Sequence, residues 1–406
     1  LRWLIIGGGP QGVHIAAALQ AGASVAPNEL RIVDPGDSLL EVWNQRAATV
    51  GMSHLRSPAV HHVDADPWSL HRFAESWTPD DAVSPFAGPY ARPSTTLFAA
   101  HASAVIEARG LDALHVRASA TALRPMSGAL GWTVELDDGE ALTARRVVLA
   151  LGSGGTQRIP AWARPHLEDP AAWVQHVFDP GFDLDARRHF RRVAIIGGGI
   201  SAAQLAVRLA GQGRMVSVVS PHRLRRAQFD SDSQWLGPAK MRAFSKERDM
   251  ARRRAMIEGA RRPGTMTKEV HRALRAQVAK GRVRLVEDTV RGVFALPNAR
   301  VLGLRRPLEV DAVVLATGFE GQPGAPFLAG LCPEQFPRAR CGTPCVDAHL
   351  EWGHGLHVAG ALAELQLGPV ARNIAGGRRA AERLVPLAIA ERDVTRRAPA
   401  CPRAAG

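Results

Sequence analysis

Leu4-Ile-Ile-Gly7-Gly-Gly9-Pro10-Gln11-Gly12-Val-His14 is the stretch on which the fold turns. Apolar residues from Leu1 to Ile6 read as a strand, and an alanine-rich stretch, Val13–Ala21, reads as a helix. A second apolar run, Leu30–Val33, then ends in Asp34. The three glycines have the spacing of a dinucleotide-binding turn: one for the tight turn, one for close approach of backbone to pyrophosphate, one for packing of helix on strand. Free N–H groups and the positive end of the helix dipole would meet the phosphates. Asp34 stands 22 residues after Gly12, where a carboxylate accepts hydrogen bonds from ribose hydroxyls.

The pattern returns about 190 residues later, with a strand Arg192–Ile196, the loop Gly197-x-Gly199-x-x-Ala202, a helix Ser201–Ala210 and a strand Met215–Val219. Alanine is an allowed third residue. This second strand runs into Ser220, His222, Arg223, Arg225 and Arg226 instead of an acid. A carboxylate would repel a ribose 2′-phosphate and arginines pair with one, so the second loop reads as a site for NADPH and not NADH. Arg223 and Arg225 are the candidates for that contact.

Two such units account for the length of 406 residues, too many for one core. The fold expected is α/β, with two Rossmann-like dinucleotide-binding domains, the second inserted into the first. The boundaries expected are 1–160 for the first part of one domain, 161–310 for the inserted domain, 311–395 for the return, and 396–406 as a disordered tail. Between the units, 43–95 is rich in Pro and Trp, 94–109 reads as a helix entered through Pro93, and His115–Ser119 and Trp132–Leu136 read as strands. Strands Arg146–Leu151 and Ala312–Ala316 each run into glycine, 156–190 reads as a connection, 240–284 as an Arg-rich helical segment, and 368–392 as a final helix.

Composition is ordinary for globular protein, 46% hydrophobic and 22% charged, which excludes wholesale disorder and fibrous repeats. The net charge of +13 rests almost wholly on arginine, since only four lysines occur (Lys240, Lys246, Lys268, Lys280). Residues 181–310 hold 28 Lys and Arg against 11 Asp and Glu, so the whole excess lies on the expected NADPH domain, where it would steer in an anionic cofactor. Arg248, Arg252-Arg-Arg254 and Arg261-Arg262 leave a nucleic-acid reading open, but 248–290 contains no Phe, Trp or Tyr to interleave with them, and a solvated face is the simpler reading. Few, late cysteines, no apolar run of membrane-spanning length and no charged leader before the first strand suggest a cytoplasmic protein without membrane partners.

Taken together, the chain resembles the flavoprotein pyridine-nucleotide oxidoreductases with an NADPH domain inserted into an FAD domain. The resemblance rests on Gly7–Gly12 with Asp34, Val148-Leu-Ala-Leu-Gly152 followed by Ile159-Pro160, Gly197–Ala202, Leu315-Ala-Thr317-Gly318, and His357-Val-Ala-Gly360 with a helix from Gly368. It implies FAD contacts at Gly7, Gly9, Pro10, Gln11, Gly12, Asp34, Trp43, Gly152, Thr317, Gly318, Gly360 and Gly368. It implies NADPH contacts at Gly197, Gly199, Ser201, Ala202, Arg223 and Arg225.

Two branches of that class remain. A disulfide reductase needs two close cysteines over the flavin; Cys341 and Cys345 form the only close pair, in an expected loop. Trp43, Met52, Leu151-Gly152…Ile159-Pro160 and Ala316-Thr-Gly318-Phe319 are similar to the single-component flavin monooxygenases, particularly the amine and amino-acid N-hydroxylases. A Baeyer–Villiger enzyme would carry FxGxxxHxxxW before the second loop; His176 is present, but Pro170, Ala172 and Pro180 replace its Phe, Gly and Trp. The resemblance therefore implies oxygenation of an amine or other heteroatom of a small molecule by O2 through a C4a-hydroperoxyflavin, with an NADPH-dependent flavin reductase as the alternative. Met52, His54, Arg56 and Ser57 are the candidates near the flavin. Asp230 and Asp232, in Phe229-Asp-Ser-Asp-Ser-Gln-Trp235, are the candidates to orient a substrate amine. No metal is expected, since the adjacent His61-His62 lacks the spacing to converge on one ion. Oligomeric state is open, a homo-oligomer included.

Overall fold

The computed structural model describes residues 1–78, 83–126, 130–152, 155–168, 173–296, 299–321, 323–324 and 327–397. Ser153, Gly154, Pro170, Ala172 and Cys401 lie outside the described residues. The first sheet has six strands in the order Glu351–Gly353, Leu356–Val358, Arg146–Leu149, Trp3–Ile6, Leu30–Asp34, His115–Arg117. All neighbours are parallel except the edge hairpin 351–358. The central strands are buried on both faces, as the unbroken apolar runs Trp3–Ile6 and Val147–Leu149 require. Helix Pro10–Ala23 packs against this sheet and against the final helix, Ile374–Arg397.

The second sheet is wholly parallel, in the order Val174–His176, Ala312–Leu315, Arg192–Ile196, Met215–Ser220, Val283–Glu287. This places the strand expected at 312–316 in the inserted domain and not in the return to the first. Its four residues are all buried, flanked by Val174 and Val193, an environment that a strand outside the sheet centre does not have. Val174–His176, within the stretch read as a connection, is the sheet's edge strand. The chain crosses between domains along two paired strands, Thr156–Gln157 and Phe319–Glu320. A Cβ on Gly155 would lie 2.1 Å from the Glu320 carbonyl oxygen, so the pairing needs glycine there.

Other boundaries moved for local reasons. The stretch 43–95 takes in most of helix Glu41–Val50 and all of helix Ser69–Ser76. The Arg-rich segment is three helices, Pro238–Lys246, Met250–Ala260 and Lys268–Ala279, the last two capped by Asp249 and Thr267 side chains. Within Arg252-Arg-Arg254 the last two guanidiniums face inward, Arg253 to the Leu365 carbonyl and Arg254 to Glu364 and Thr343, so the run is no continuous basic face. The final helix starts at Ile374, because Gly368, at φ +80°, ends the short helix Glu364–Leu367. The final helix continues through residues 396 and 397, expected to belong to a disordered tail. Among the described residues no helix is long and apolar enough to cross a membrane.

Candidate functional site

The first glycine loop is shaped by two close approaches and one open side. Gly7 has φ +114°, and a Cβ on it would meet the Ala150 carbonyl oxygen at 2.4 Å; a Cβ on Gly12 would meet the Gly7 oxygen at 1.8 Å. Gly9, the extended residue before the helix, has nothing within 4 Å of its Cβ position, so that side is open to a ligand. Pro10 takes the first helical position, where its missing N–H costs no hydrogen bond. Asp34 holds the loop: one carboxylate oxygen accepts from the Gly8 N–H at 2.7 Å and the other from Gly36 at 3.0 Å. Gln11 donates to the Ala371 and Asn373 carbonyls at 2.9 and 2.7 Å, and its own Oε1 is buried without a partner.

From this loop a cavity of about 660 Å³ runs between the domains. Of the residues expected at a cofactor or substrate, Gly7, Gly9, Pro10, Gln11, Asp34, Trp43, Arg56, Ser57, Gly152, Asp230 and Asp232 line it. Gly12 stands directly behind Gly7, and Gly360, at φ +63°, sits against Gln11 and Gly152. The remaining first-domain candidates are elsewhere. Met52 packs between the two cores and its carbonyl accepts from Thr95 Oγ1. His54 is tied to the Ser84 carbonyl at 2.8 Å. Thr317 and Gly318 bond to Arg158 at the domain crossing. Gly368 faces Met241 and Phe244.

Arg56 lines the cavity with four of its five N–H donors already engaged by the inserted domain. Its guanidinium donates to the Gln228 carbonyl at 3.1 Å, the Ala227 carbonyl at 2.9 Å, Thr265 Oγ1 at 3.1 Å and the Thr265 carbonyl at 3.4 Å. It therefore joins the first domain to the second. Asp230 accepts from Asn373 Nδ2 at 3.0 Å, and Asp232 caps the turn Ser233–Trp235 through the Gln234 N–H at 3.0 Å. Burial, with the charges of Arg378 and Arg379, lowers the His61 imidazole to about 4, so it is neutral near pH 7.

Residues that sequence reasoning missed are Arg46, His61, Phe229, Leu236, Phe327, Val370, Arg372, Asn373, Ile374 and Ala375, all in the cavity wall. One signal was available: Asn373 directly precedes the final helix and is a residue type favoured at helix starts. Behind Arg372 lies Glu364, wholly buried, held by Arg372 Nη2 at 3.1 Å and also by Arg254, with Arg261 at 3.7 Å; these guanidiniums keep its carboxyl below the usual range against the opposing effect of burial. Among the described residues no group of three His, Cys, Asp or Glu converges as a metal site.

The second loop repeats the first. Gly197 has φ +144° and a Cβ there would lie 2.3 Å from the Ala316 oxygen; Gly199 is the extended residue before helix Ile200–Gly211, which carries Ser201 and buried Ala202. A Cβ on Gly198 would lie 2.6 Å from Ser220 Oγ and 3.3 Å from His222. Arg225 donates to the Pro263 carbonyl at 3.3 Å, next to Gly264, which abuts Gly199. Arg223, 92% exposed, has only Glu287 at 3.6 Å.

A family profile described as FAD-NAD(P)-binding matches residues 4–154. The chain is 28% identical over 232 residues to the indole-3-pyruvate monooxygenase YUCCA1 of Oryza sativa subsp. japonica, a match over 56% of this chain and 50% of that protein. It thus spans about half the length of that relative. Among solved structures, the ornithine N-hydroxylase of Kutzneria sp. 744 superposes with a TM-score of 0.73 at 19% identity, over 96% of this chain and 99% of the other. The cadaverine monooxygenase of Erwinia amylovora gives 0.71 at 15%, over 97% and 95%. The bacillithiol disulfide reductase of Bacillus cereus gives 0.59 at 16%, over 96% and 98%. Two parallel sheets, two glycine loops and these superpositions give the chain the FAD/NADPH Rossmann-type fold found in flavoprotein monooxygenases.

Proposed function

We propose that the protein is an FAD- and NADPH-dependent monooxygenase that oxygenates an amine or other heteroatom of a small molecule, acting in the cytoplasm. The observation that carries this reading is the continuous cavity, which begins at the phosphate-binding turn Gly7–Gly12 and ends on a wall supplied by the inserted domain, Phe229–Asp232. The space, about 660 Å³, is in the range of cofactor and small-molecule sites. The residues present fit FAD: an open backbone turn at Gly9, a carboxylate at Asp34 that would meet the ribose, and the buried, unpartnered Gln11 Oε1 in the cavity wall. Gly7, Gly9, Asp34, Gln11 and Gly152 would hold FAD, and Gly197, Gly199, Arg225 and Arg223 would hold NADPH.

When bound and reduced by NADPH, FAD supplies the oxygen-activating chemistry. The residues of the chain bind, orient and exclude water. Arg56, with the Asp230–Asn373 bond, fixes the inserted domain over the cavity and so completes its far wall. Asp230 and Asp232 act in this reading chiefly as supports of that wall.

A reductase working through a cysteine pair is less well supported, since Cys332, Cys341 and Cys345 are all absent from the residues that line the cavity. The test is NADPH oxidation by the flavin-loaded protein across amines, amino acids and thioethers. Oxygen consumption matched by oxygenated product is expected. Hydrogen peroxide alone, or a reduced acceptor with no oxygen uptake, refutes the reading.

A further inference from the structure

Away from the cavity, the turn 339–342 gathers a second set of reactive groups around one thiol. The Gly342 N–H donates to the Ala339 carbonyl at 2.8 Å, the Ala339 N–H to the Thr343 carbonyl at 2.9 Å and the Cys345 N–H to the Pro337 carbonyl at 2.9 Å, so both sides of the turn are fixed. Gly342, at φ +80°, takes the left-handed step that closes it. Cys341 stands at the third position of this turn, exposed, and is not among the residues that line the cavity. Its Sγ lies 3.5 Å from Thr343 Oγ1, and the same hydroxyl accepts from Arg254 Nη2 at 2.6 Å. Thr343 is wholly buried, and Arg254 reaches it from helix Met250–Ala260 of the inserted domain.

The ionic cluster behind Arg254 has a place for one more anion. Three guanidiniums, of Arg254, Arg261 and Arg372, meet two carboxylates, those of Glu364 and Asp230. A thiolate at Cys341 balances the third cation. Burial raises the Cys341 thiol, but the Thr343 hydroxyl, the Thr343 N–H and the Arg254 guanidinium outweigh it and hold the thiol below its ordinary value. At Cys345, half-buried, burial and the charge of Cys341 act together and push the thiol up. Cys332, also exposed, donates to Glu334 Oε2 at 2.7 Å, an anionic neighbour where Cys341 has a cationic one. An exposed thiol held as an anion by a fixed guanidinium and hydroxyl is the arrangement in which cysteine reacts with peroxide.

We propose that Cys341 is a peroxide-reactive thiol, a modification site separate from the cavity and activated by Arg254 and Thr343. The thiolate sulfur attacks one oxygen of hydrogen peroxide. An S–O bond forms as the O–O bond breaks, and sulfur gives up two electrons to become a sulfenic acid. The second oxygen leaves as hydroxide and takes up the proton that the thiol had released, giving water. The oxidant comes from outside the protein, so the site works whatever the flavin does.

The experiment treats the full-length, FAD-loaded protein, without NADPH, with equimolar hydrogen peroxide in the presence of dimedone, and reads the adduct at each cysteine by peptide mass spectrometry. At least tenfold more adduct is expected at Cys341 than at Cys332 or Cys345. Thr343→Val, nearly the same in shape, and Arg254→Gln are each expected to slow adduct formation at Cys341 at least fivefold at equal flavin content, with Arg254→Lys recovering part of the loss. Cys345→Ser is expected to retain the Cys341 adduct. No adduct at Cys341, equal adduct at the three cysteines, or labelling that neither Thr343→Val nor Arg254→Gln slows overturns the proposal. If Arg254→Gln loses its flavin, Thr343→Val alone decides.

Discussion

The two glycine loops share one backbone turn and differ at the end of the strand that follows each. Gly7 and Gly197 both have positive φ and both press on a carbonyl of the next strand, Ala150 or Ala316, at 2.4 and 2.3 Å from the Cβ position. At the strand end, however, Asp34 locks its loop through two backbone N–H groups, whereas Ser220 Oγ accepts only the His222 N–H at 3.5 Å. The third position differs too: glycine is compulsory at 12, and alanine stands at 202. One loop is closed by its own anion. The other ends beside Arg223 and Arg225, the guanidiniums proposed to meet NADPH, so the same backbone turn stands next to opposite charge in the two domains.

The strongest way to break that comparison is Gly12→Ala. Its methyl would fall 1.8 Å from the Gly7 oxygen, a backbone atom in a loop itself pressed against Ala150, so no side chain can swing aside to relieve it. Flavin content below a tenth of the wild-type level is expected, with a lower melting temperature. A variant purified with a full complement of flavin would show that the loop has slack the geometry denies.

Acid sharpens the contrast between whole domains. The buried histidines of the first domain are His14, His62, His101 and His357; that of the second sheet is His176. Burial is the main cause that lowers His14 to about 3 and His62 and His101 to about 4, with the charge of Arg378 adding to it at His14 and His62. These rings are neutral when folded and protonate near 6.5 when unfolded, so below 6.5 the unfolded chain binds more protons and stability falls. Each ring withdraws up to ~1.4 kcal/mol per pH unit between 6.5 and its folded value. The first domain is expected to lose stability first, seen as flavin released at a temperature well below the pH 7.5 value when heated at pH 5. A release temperature unchanged between these pH values would remove these histidines from the account.

Both loops were legible in the sequence because a tight turn against a neighbouring strand leaves glycine as nearly the only choice, and that constraint acts on residues close in the chain. Central strands were legible for a similar reason, as short unbroken apolar runs. The membership of Ala312–Leu315 was not, since four apolar residues fit the middle of either sheet and only their pairing with Val193 and Val174 decides. The far wall was hidden as well. Arg372, Asn373 and Ile374 meet Phe229–Asp232 across more than a hundred residues, and no local pattern records which domain surface will face which. Arg56 was singled out as near the flavin, yet its donors are spent on carbonyls 171 and 172 residues away.

A smaller effect is expected at the ribose end of the second loop. Arg225→Ala should raise the KM for NADPH by roughly 10- to 100-fold, on the order of one to three kcal/mol for a charge-assisted phosphate contact, and leave that for NADH little changed. Arg225 is held beside Gly264, next to the loop; Arg223 is almost fully in solvent, so Arg223→Ala should do less. Steady-state kinetics with both nucleotides decide it. Equal losses for NADPH and NADH would mean that Arg225 supports the loop without reading the 2′-phosphate.

Ala202→Gly gives the smallest change and tests the comparison from its other side. Ala202 is 1% exposed in the first turns of helix Ile200–Gly211, so the second loop accommodates the very methyl that position 12 excludes. Removing it makes the two loops alike in sequence, at a cost of about 1 kcal/mol in helix propensity. The KM for NADPH should stay within about threefold, because the pyrophosphate is met by backbone groups that the substitution leaves in place. If instead NADPH binding improves by tenfold or more, the methyl is holding the second helix away from its loop, and the looser fit at position 202 is what keeps NADPH exchangeable while FAD stays bound.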